Sequence, residues 1–160
     1  MRWILEEPGY EVEDRREEVL QEGPPGHILI GTSPQTIVAL ANCLNEASAT
    51  ALDRARFAVA RDTLRRVQEQ AGPFWMENPH GSFSSEKPLM WSSMELQGQE
   101  LIDLFDCYEE GWFPVAVDDG ETDVLRTAVL AVLRTIDNEE LVSRVDATET
   151  QLRELLHHMR

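Results

Sequence analysis

Apolar side chains recur at helical spacing in the first half of the chain. In residues 34–48 they fall at positions i, i+3, i+4 and i+7, which places Ile37, Leu40, Ala41 and Leu44 on one face. Ser33 can cap this helix, and Pro34 suits its first position. The pattern predicts a helix from residue 34 to about residue 48.

A second helix is predicted from residue 51 to about residue 70. Thr50 and Asp53 resemble a capping box at its start, and Gly72-Pro73 indicates its end. Arginines occupy much of the surface opposite the apolar face, which consists of Phe57, Ala60, Leu64 and Val67.

The second half of the chain shows the same periodicity. It predicts helices over residues 99–110, 121–136 and 138–145, and a final helix opened by a Thr148-x-x-Gln151 capping box. In the helix over 121–136, Leu130 and Leu133 widen the apolar face, and a turn is expected just before it at Asp118-Asp119-Gly120.

Short apolar runs predict strands at residues 2–5, 27–30, 89–96 and 115–117. Together with the helices they predict an α+β, helix-dominated fold with four or five helices and a few short strands. A chain of 160 residues corresponds to a single domain, 1–160.

A shift of 64 residues aligns residues 35–47 with residues 99–111, with identical Gln, Leu, Cys and Glu at four of the thirteen positions. One interpretation is a duplicated strand-helix-helix unit, with halves 27–72 and 89–160 joined by the aromatic, Pro-containing segment 73–88. The other is a chance likeness between two amphipathic helices, and the sequence leaves both open.

The run from Ser33-Pro34 through Ile37 and Leu40 to Leu44-Asn45-Glu46-Ala47 resembles a pattern found in short, uncharacterised bacterial proteins. In those proteins a strand leads into a Ser-Pro-started helix that ends in Leu-Asn-Glu-Ala. The resemblance covers residues 28–48 and implies no known activity.

Charge narrows the classes of partner. The chain carries 30 acidic against 14 basic residues, a formal net charge of −16. This negative charge disfavours binding to nucleic acid and to anionic membranes, because proteins bind both mainly through Lys and Arg. A basic protein partner is compatible with it. The alternative is that the charge serves solubility alone.

The acidic residues are unevenly distributed. Residues 88–125 contain ten acids and no lysine or arginine. Within them, five carboxylates on the predicted helix 99–110 would contact a basic partner: Glu100, Asp103, Asp106, Glu109 and Glu110. Three tryptophans would anchor that partner if they are exposed: Trp75, Trp91 and Trp112. Burial of the aromatic side chains of segment 73–93 in the core is the more common arrangement.

Candidate chemistry is sparse. Asp118, Asp119, Glu121 and Asp123 have the oxygen density for a divalent cation, although they lack EF-hand spacing. A turn followed by acids at a helix N-terminus, which the helix dipole favours, is the preferred explanation. Cys43 and Cys107 show no zinc-ligand spacing, and each is expected to be a small core residue. No nucleophile, phosphate-binding or dinucleotide motif is present. We therefore expect no cofactor, and the sequence offers no positive case for an enzyme.

Three functions follow as hypotheses. The first is a small, acidic, non-catalytic protein-binding module, such as a bacterial immunity-type protein or inhibitor that masks a basic surface. The second is a metal-dependent or small-ligand-binding protein that uses residues 118–123. The third is a homo-oligomeric structural subunit. The start Met1-Arg2-Trp3 reaches Glu6 and Glu7 too early for a secretory signal, and we expect a cytoplasmic location.

Overall fold

The computed structural model describes residues 2–3, 26–47, 51–77, 84–93 and 113–159. The fold is α+β and helix-dominated, as the sequence predicts. Within the described residues the strands are β1 (Arg2–Trp3), β2 (His27–Thr32), β3 (Trp91–Ser93) and β4 (Phe113–Asp118). The helices there are α1 (Pro34–Glu46), α2 (Ala51–Glu77), α3 (Asp119–Thr135), α4 (Asn138–Val145) and α5 (Glu149–His158).

The strands form one sheet in the order β1-β4-β2-β3, and all neighbours are antiparallel. In β4 the consecutive residues Val115, Ala116 and Val117 are completely buried. Successive side chains of a strand point to opposite faces, so both faces of the sheet are covered at this strand. The predicted strand at 115–117 is confirmed. The one predicted at 89–96 is confirmed for Trp91–Ser93. Its predicted start is wrong, since Leu89 and Met90 lie before the strand, and residues 94–96 lie outside the described residues.

Helix α1 forms as its sequence predicts. Ser33 is the N-cap, and its Oγ accepts a hydrogen bond from the backbone N–H of Thr36 at 3.4 Å. Ile37, Leu40 and Leu44 of the predicted apolar face are buried. The helix ends at Glu46, two residues before the expected end.

Helix α2 buries the predicted face but does not end where the sequence indicates. Phe57, Leu64 and Val67 are at most 4% exposed. The predicted end at Gly72-Pro73 is wrong, since the helical backbone continues to Glu77. An interior proline loses one backbone hydrogen bond and its ring crowds the carbonyl four residues before it, which costs about 3 kcal/mol. Its fixed φ of about −65° is nevertheless helical, so the helix can continue at that cost.

Helices α3, α4 and α5 are close to their predicted ranges. The expected turn at Asp118-Asp119-Gly120 is wrong, because Asp118 caps α3 and the helix begins at Asp119. Leu130 is 37% exposed and does not widen the apolar face. It follows the buried Val129, and each step along a helix turns the side chain by about 100°. The Thr148–Gln151 capping box is confirmed.

Buried side chains from all five helices and from β2, β3 and β4 form one hydrophobic cluster. Helix α1 lies at its centre, packed against α2, α3 and α4. The proposed repeat cannot be compared with the structure, because its second copy at 99–111 lies outside the described residues.

A buried amide holds the segment before β3 against α5. Gln151 is 3% exposed, and its Nε2 donates to the carbonyl oxygens of Ser84 (2.8 Å) and Lys87 (2.7 Å). Gln35 of α1 donates to the same Ser84 oxygen at 2.9 Å. Since buried polar groups need partners, these bonds fix the path of residues 84–87.

None of the helices in the described ranges combines the length and the apolar character needed to cross a membrane.

Candidate functional site

A pocket of about 350 Å³ lies between the middle of α2 and the junction of β4 with α3. Four apolar side chains line it, two from each helix: Val59, Ala60, Val124 and Leu125. Gly120 and four polar residues complete the lining: Arg56, Thr63, Asp118 and Glu121. A concave, mostly apolar wall with a few convergent polar groups is the usual form of a binding site.

The polar end of the pocket adjoins a cluster of three titratable side chains, His27, Asp118 and Glu121. One potential ligand atom from each lies within 4.8 Å of the others. Antiparallel pairing of β2 with β4 places the first residue of β2, His27, opposite the last residue of β4, Asp118. Glu121 follows in the first turn of α3. Strand register and a helix start together assemble the cluster.

A capping box holds the two carboxylates in place. Oδ1 of Asp118 accepts the backbone N–H of Glu121 at 2.7 Å, and Oε2 of Glu121 accepts the backbone N–H of Asp118 at 3.0 Å. Each bond uses one of the two oxygens of its carboxylate. The second oxygen of Asp118, Oδ2, lies 3.9 Å from Nε2 of His27. Backbone bonds of this kind orient a carboxylate without using all of its acceptor capacity.

The four carboxylates predicted as metal candidates separate into two groups. Asp118 and Glu121 belong to the cluster with His27. Asp123 instead forms an ion pair with Arg56 of the pocket lining, with 3.1 Å between its Oδ2 and the guanidinium Nη2. Asp119 is exposed and is not part of the cluster.

The predicted partner-binding residues are only partly described. Trp91 is 4% exposed and lies in the hydrophobic cluster, so it offers no surface to a partner, in contrast to the anchor role expected of it. Trp75 lies in α2, and nothing is described of its side chain. The remaining predicted residues lie outside the described part of the chain: Glu100, Asp103, Asp106, Glu109, Glu110 and Trp112.

The thiol of Cys43 is part of the core. It is completely buried on α1, and burial raises its pKa to about 12 from an ordinary value of 9.0. The reactive form of cysteine is the thiolate, which this environment suppresses. The expectation that Cys43 is a small core residue is confirmed, and Cys107 lies outside the described residues.

Five residues of the site were not singled out in the sequence: His27, Arg56, Val59, Thr63 and Val124. His27 could have been found by pairing the predicted strands 27–30 and 115–117 antiparallel, which brings it toward Asp118. Val59 does not belong to the apolar face of α2. Its side chain is 67% exposed, and this exposure can be seen only in the folded chain.

Comparisons of the chain with protein-family models, with curated proteins and with solved structures found no match.

Proposed function

We propose that this protein is a cytoplasmic, non-catalytic acidic module that binds a basic protein, in the manner of an immunity-type protein or an inhibitor. The observation that carries the proposal is the net charge of −16 together with the exposure of its carboxylates. On α3, α4 and the turn between them, exposed acids include Asp119, Asp123, Asp137 and Glu140.

The exposure of these carboxylates distinguishes this acidic surface from an active site. Catalytic carboxylate pairs need unequal environments, with one group withdrawn from water. Exposed carboxylates instead act at long range, where they speed the encounter with a positively charged partner and set its orientation. A surface of this kind fits the masking of a basic surface better than it fits acid–base chemistry.

The test begins with capture at low salt from a lysate of the source cells. The captured protein is then purified, and its affinity is measured by calorimetry at low and high salt. We expect a basic partner and a loss of affinity of about tenfold or more when salt is raised from about 0.05 M to about 0.5 M, because screening shortens the range of charge interactions. An acidic partner, or an affinity independent of salt, contradicts the proposal.

A matched pair of variants locates the contact. The first replaces Glu100, Asp103 and Asp106 with Lys, within the acidic run predicted to face the partner. The control replaces Glu86, Glu139 and Glu154 with Lys. These residues are exposed on other segments, and the control changes the net charge by the same amount. We expect a much larger loss of affinity, and a flatter salt dependence, from the first variant. Equal losses would show that overall charge, and not this segment, carries the binding.

The cluster of His27, Asp118 and Glu121 favours a second candidate, the binding of a divalent cation. Two carboxylates and one imidazole are suitable ligands for Mn²⁺ or Zn²⁺. We rank this candidate second because acidic side chains are common at helix N-termini, and exposed acidic groups often occur without a bound cation.

Titration with Mn²⁺ and Zn²⁺ tests the second candidate. A cation bound only by the folded state adds about 2.7 kcal/mol of stability at a hundredfold excess over Kd, which raises the melting temperature. The variant His27→Ala should abolish that increase. A melting temperature that does not move with either metal contradicts this candidate.

A further inference from the structure

The charge on the pocket lining selects the kind of ligand it can hold. Among the described residues that line the pocket, Arg56 is the only basic one, and its guanidinium is paired with Asp123 at 3.1 Å. Asp118 and Glu121 bring two carboxylates to the polar end, and the partial charge of about +0.5 at the N-terminus of α3 is smaller than theirs. An anionic ligand would be repelled there, and a cationic group would be attracted.

The apolar residues of the lining indicate what kind of cation fits the pocket. Val59, Ala60, Val124 and Leu125 form an apolar wall beside the two carboxylates. A compact, fully hydrated ion gains no binding energy from contact with apolar side chains. A lysine or arginine side chain does, because its aliphatic stem packs along apolar surface while its charged end remains at a polar edge. Arginines inserted into pockets are also common centres of binding energy in protein interfaces.

We propose that this pocket receives an arginine or lysine side chain of the basic protein partner, with the stem against Val59 and Val124 and the cationic group at Asp118 and Glu121. This inference rests on the proposed function, since it names the contact through which the basic partner is anchored. The capping box supports it, because it fixes both carboxylates before binding and so lowers the conformational cost of binding.

The direct test uses a single-residue probe, N-acetyl-arginine methylamide, titrated into the ¹⁵N-labelled protein. We expect saturable shifts of the backbone signals of Val59, Gly120 and Val124, with a Kd on the order of 1 mM for so small a ligand. N-acetyl-citrulline methylamide has nearly the same shape without the charge, and should bind about tenfold more weakly.

The matched variants are chosen to preserve the fold. The double variant Asp118→Asn/Glu121→Gln removes both charges while it keeps residue types that form the same caps. It should weaken binding of the arginine probe by about tenfold or more. The control Glu139→Gln/Glu154→Gln makes the same change in net charge on α4 and α5, and should leave binding unchanged. Equal binding of arginine and citrulline, or shifts confined to residues away from the pocket, would overturn the inference.

The same double variant separates this inference from the proposed function. If it leaves affinity for the captured partner unchanged while that affinity still falls with salt, the pocket is not the anchor and the proposed function stands. If the captured partner is not basic, the proposed function fails. A pocket that still prefers arginine to citrulline then binds a free cationic ligand, and the anchoring of a protein side chain is refuted.

Discussion

His27 and Asp118 face each other at one end of the β2–β4 pair, with 3.9 Å between Nε2 of the imidazole and Oδ2 of the carboxylate. Asp118 is at the same time the N-cap of α3. One side chain therefore links the end of the sheet to the start of the helix that lines the pocket. Its structural role and the binding role proposed for it can be separated by substitution.

Asp118→Ala should lower the free energy of unfolding by about 1–2 kcal/mol, because it removes the acceptor for the backbone N–H of Glu121. Asp118→Asn should cost less than half as much, because asparagine is an equally good N-cap residue and only the charge at the helix N-terminus is lost. Urea denaturation followed by circular dichroism measures both. Equal losses for the two variants would show that the charge, and not the cap, stabilises this end of α3.

Gln151→Leu should destabilise the protein by about 2–3 kcal/mol. The buried amide donates to the carbonyl oxygens of Ser84 and Lys87 and accepts the backbone N–H of Thr148 at 2.9 Å, so its loss leaves three part-buried backbone groups without these bonds. Gln35→Leu is the matched control. It should cost less, because the Ser84 oxygen keeps its bond from Gln151. Urea midpoints that shift equally would contradict this account.

Local rules in the sequence predict much of this fold. Ser33-Pro34 marks the start of α1, and Thr148 with Gln151 marks the start of α5, because capping depends on residues only three positions apart. The apolar face of α1 is equally local, since spacing along the chain decides which side chains share a helix face.

The site is less predictable, because it depends on contacts between distant segments. Asp118 and Glu121 could be identified as acids near a helix start, but their approach to His27 requires the register of two strands separated by 80 residues of chain. The ion pair of Arg56 with Asp123 is likewise set by the packing of α2 against α3. No local pattern contains either relationship.

Asp146 should tolerate glycine better than alanine. It follows α4 with a φ of 57°, in the left-handed region, and its Oδ2 accepts a hydrogen bond from Nδ2 of Asn42 at 3.0 Å. Alanine loses that bond and also meets the steric cost of this conformation, so Asp146→Ala should lower stability by about 1–2 kcal/mol. Asp146→Gly loses only the bond, and thermal unfolding should show the smaller effect. The reverse order would contradict a role for backbone conformation here.

The thiol of Cys43 should be inert in the folded protein. In a Cys107→Ser background Cys43 is the single thiol of the chain, so its modification by a disulfide reagent can be followed without interference. At pH 8 we expect modification no faster than unfolding, because the side chain is completely buried and its thiolate is suppressed. Addition of urea should accelerate the reaction. Rapid modification in native buffer would contradict the burial of this residue.

The raised pKa of Cys43 predicts a loss of stability at high pH. Burial raises the pKa of the folded thiol to about 12, whereas the unfolded thiol loses its proton near 9.0. Between these values the unfolded state binds fewer protons, so the free energy of unfolding falls as pH rises, by about 1.4 kcal/mol per pH unit from this group. Below pH 9 both states keep the proton and the effect vanishes. Other groups also titrate in this range, so the measurement is the difference between the Cys107→Ser protein and its Cys43→Ala derivative. The stability of the derivative should decline less steeply, and parallel declines would contradict the raised pKa.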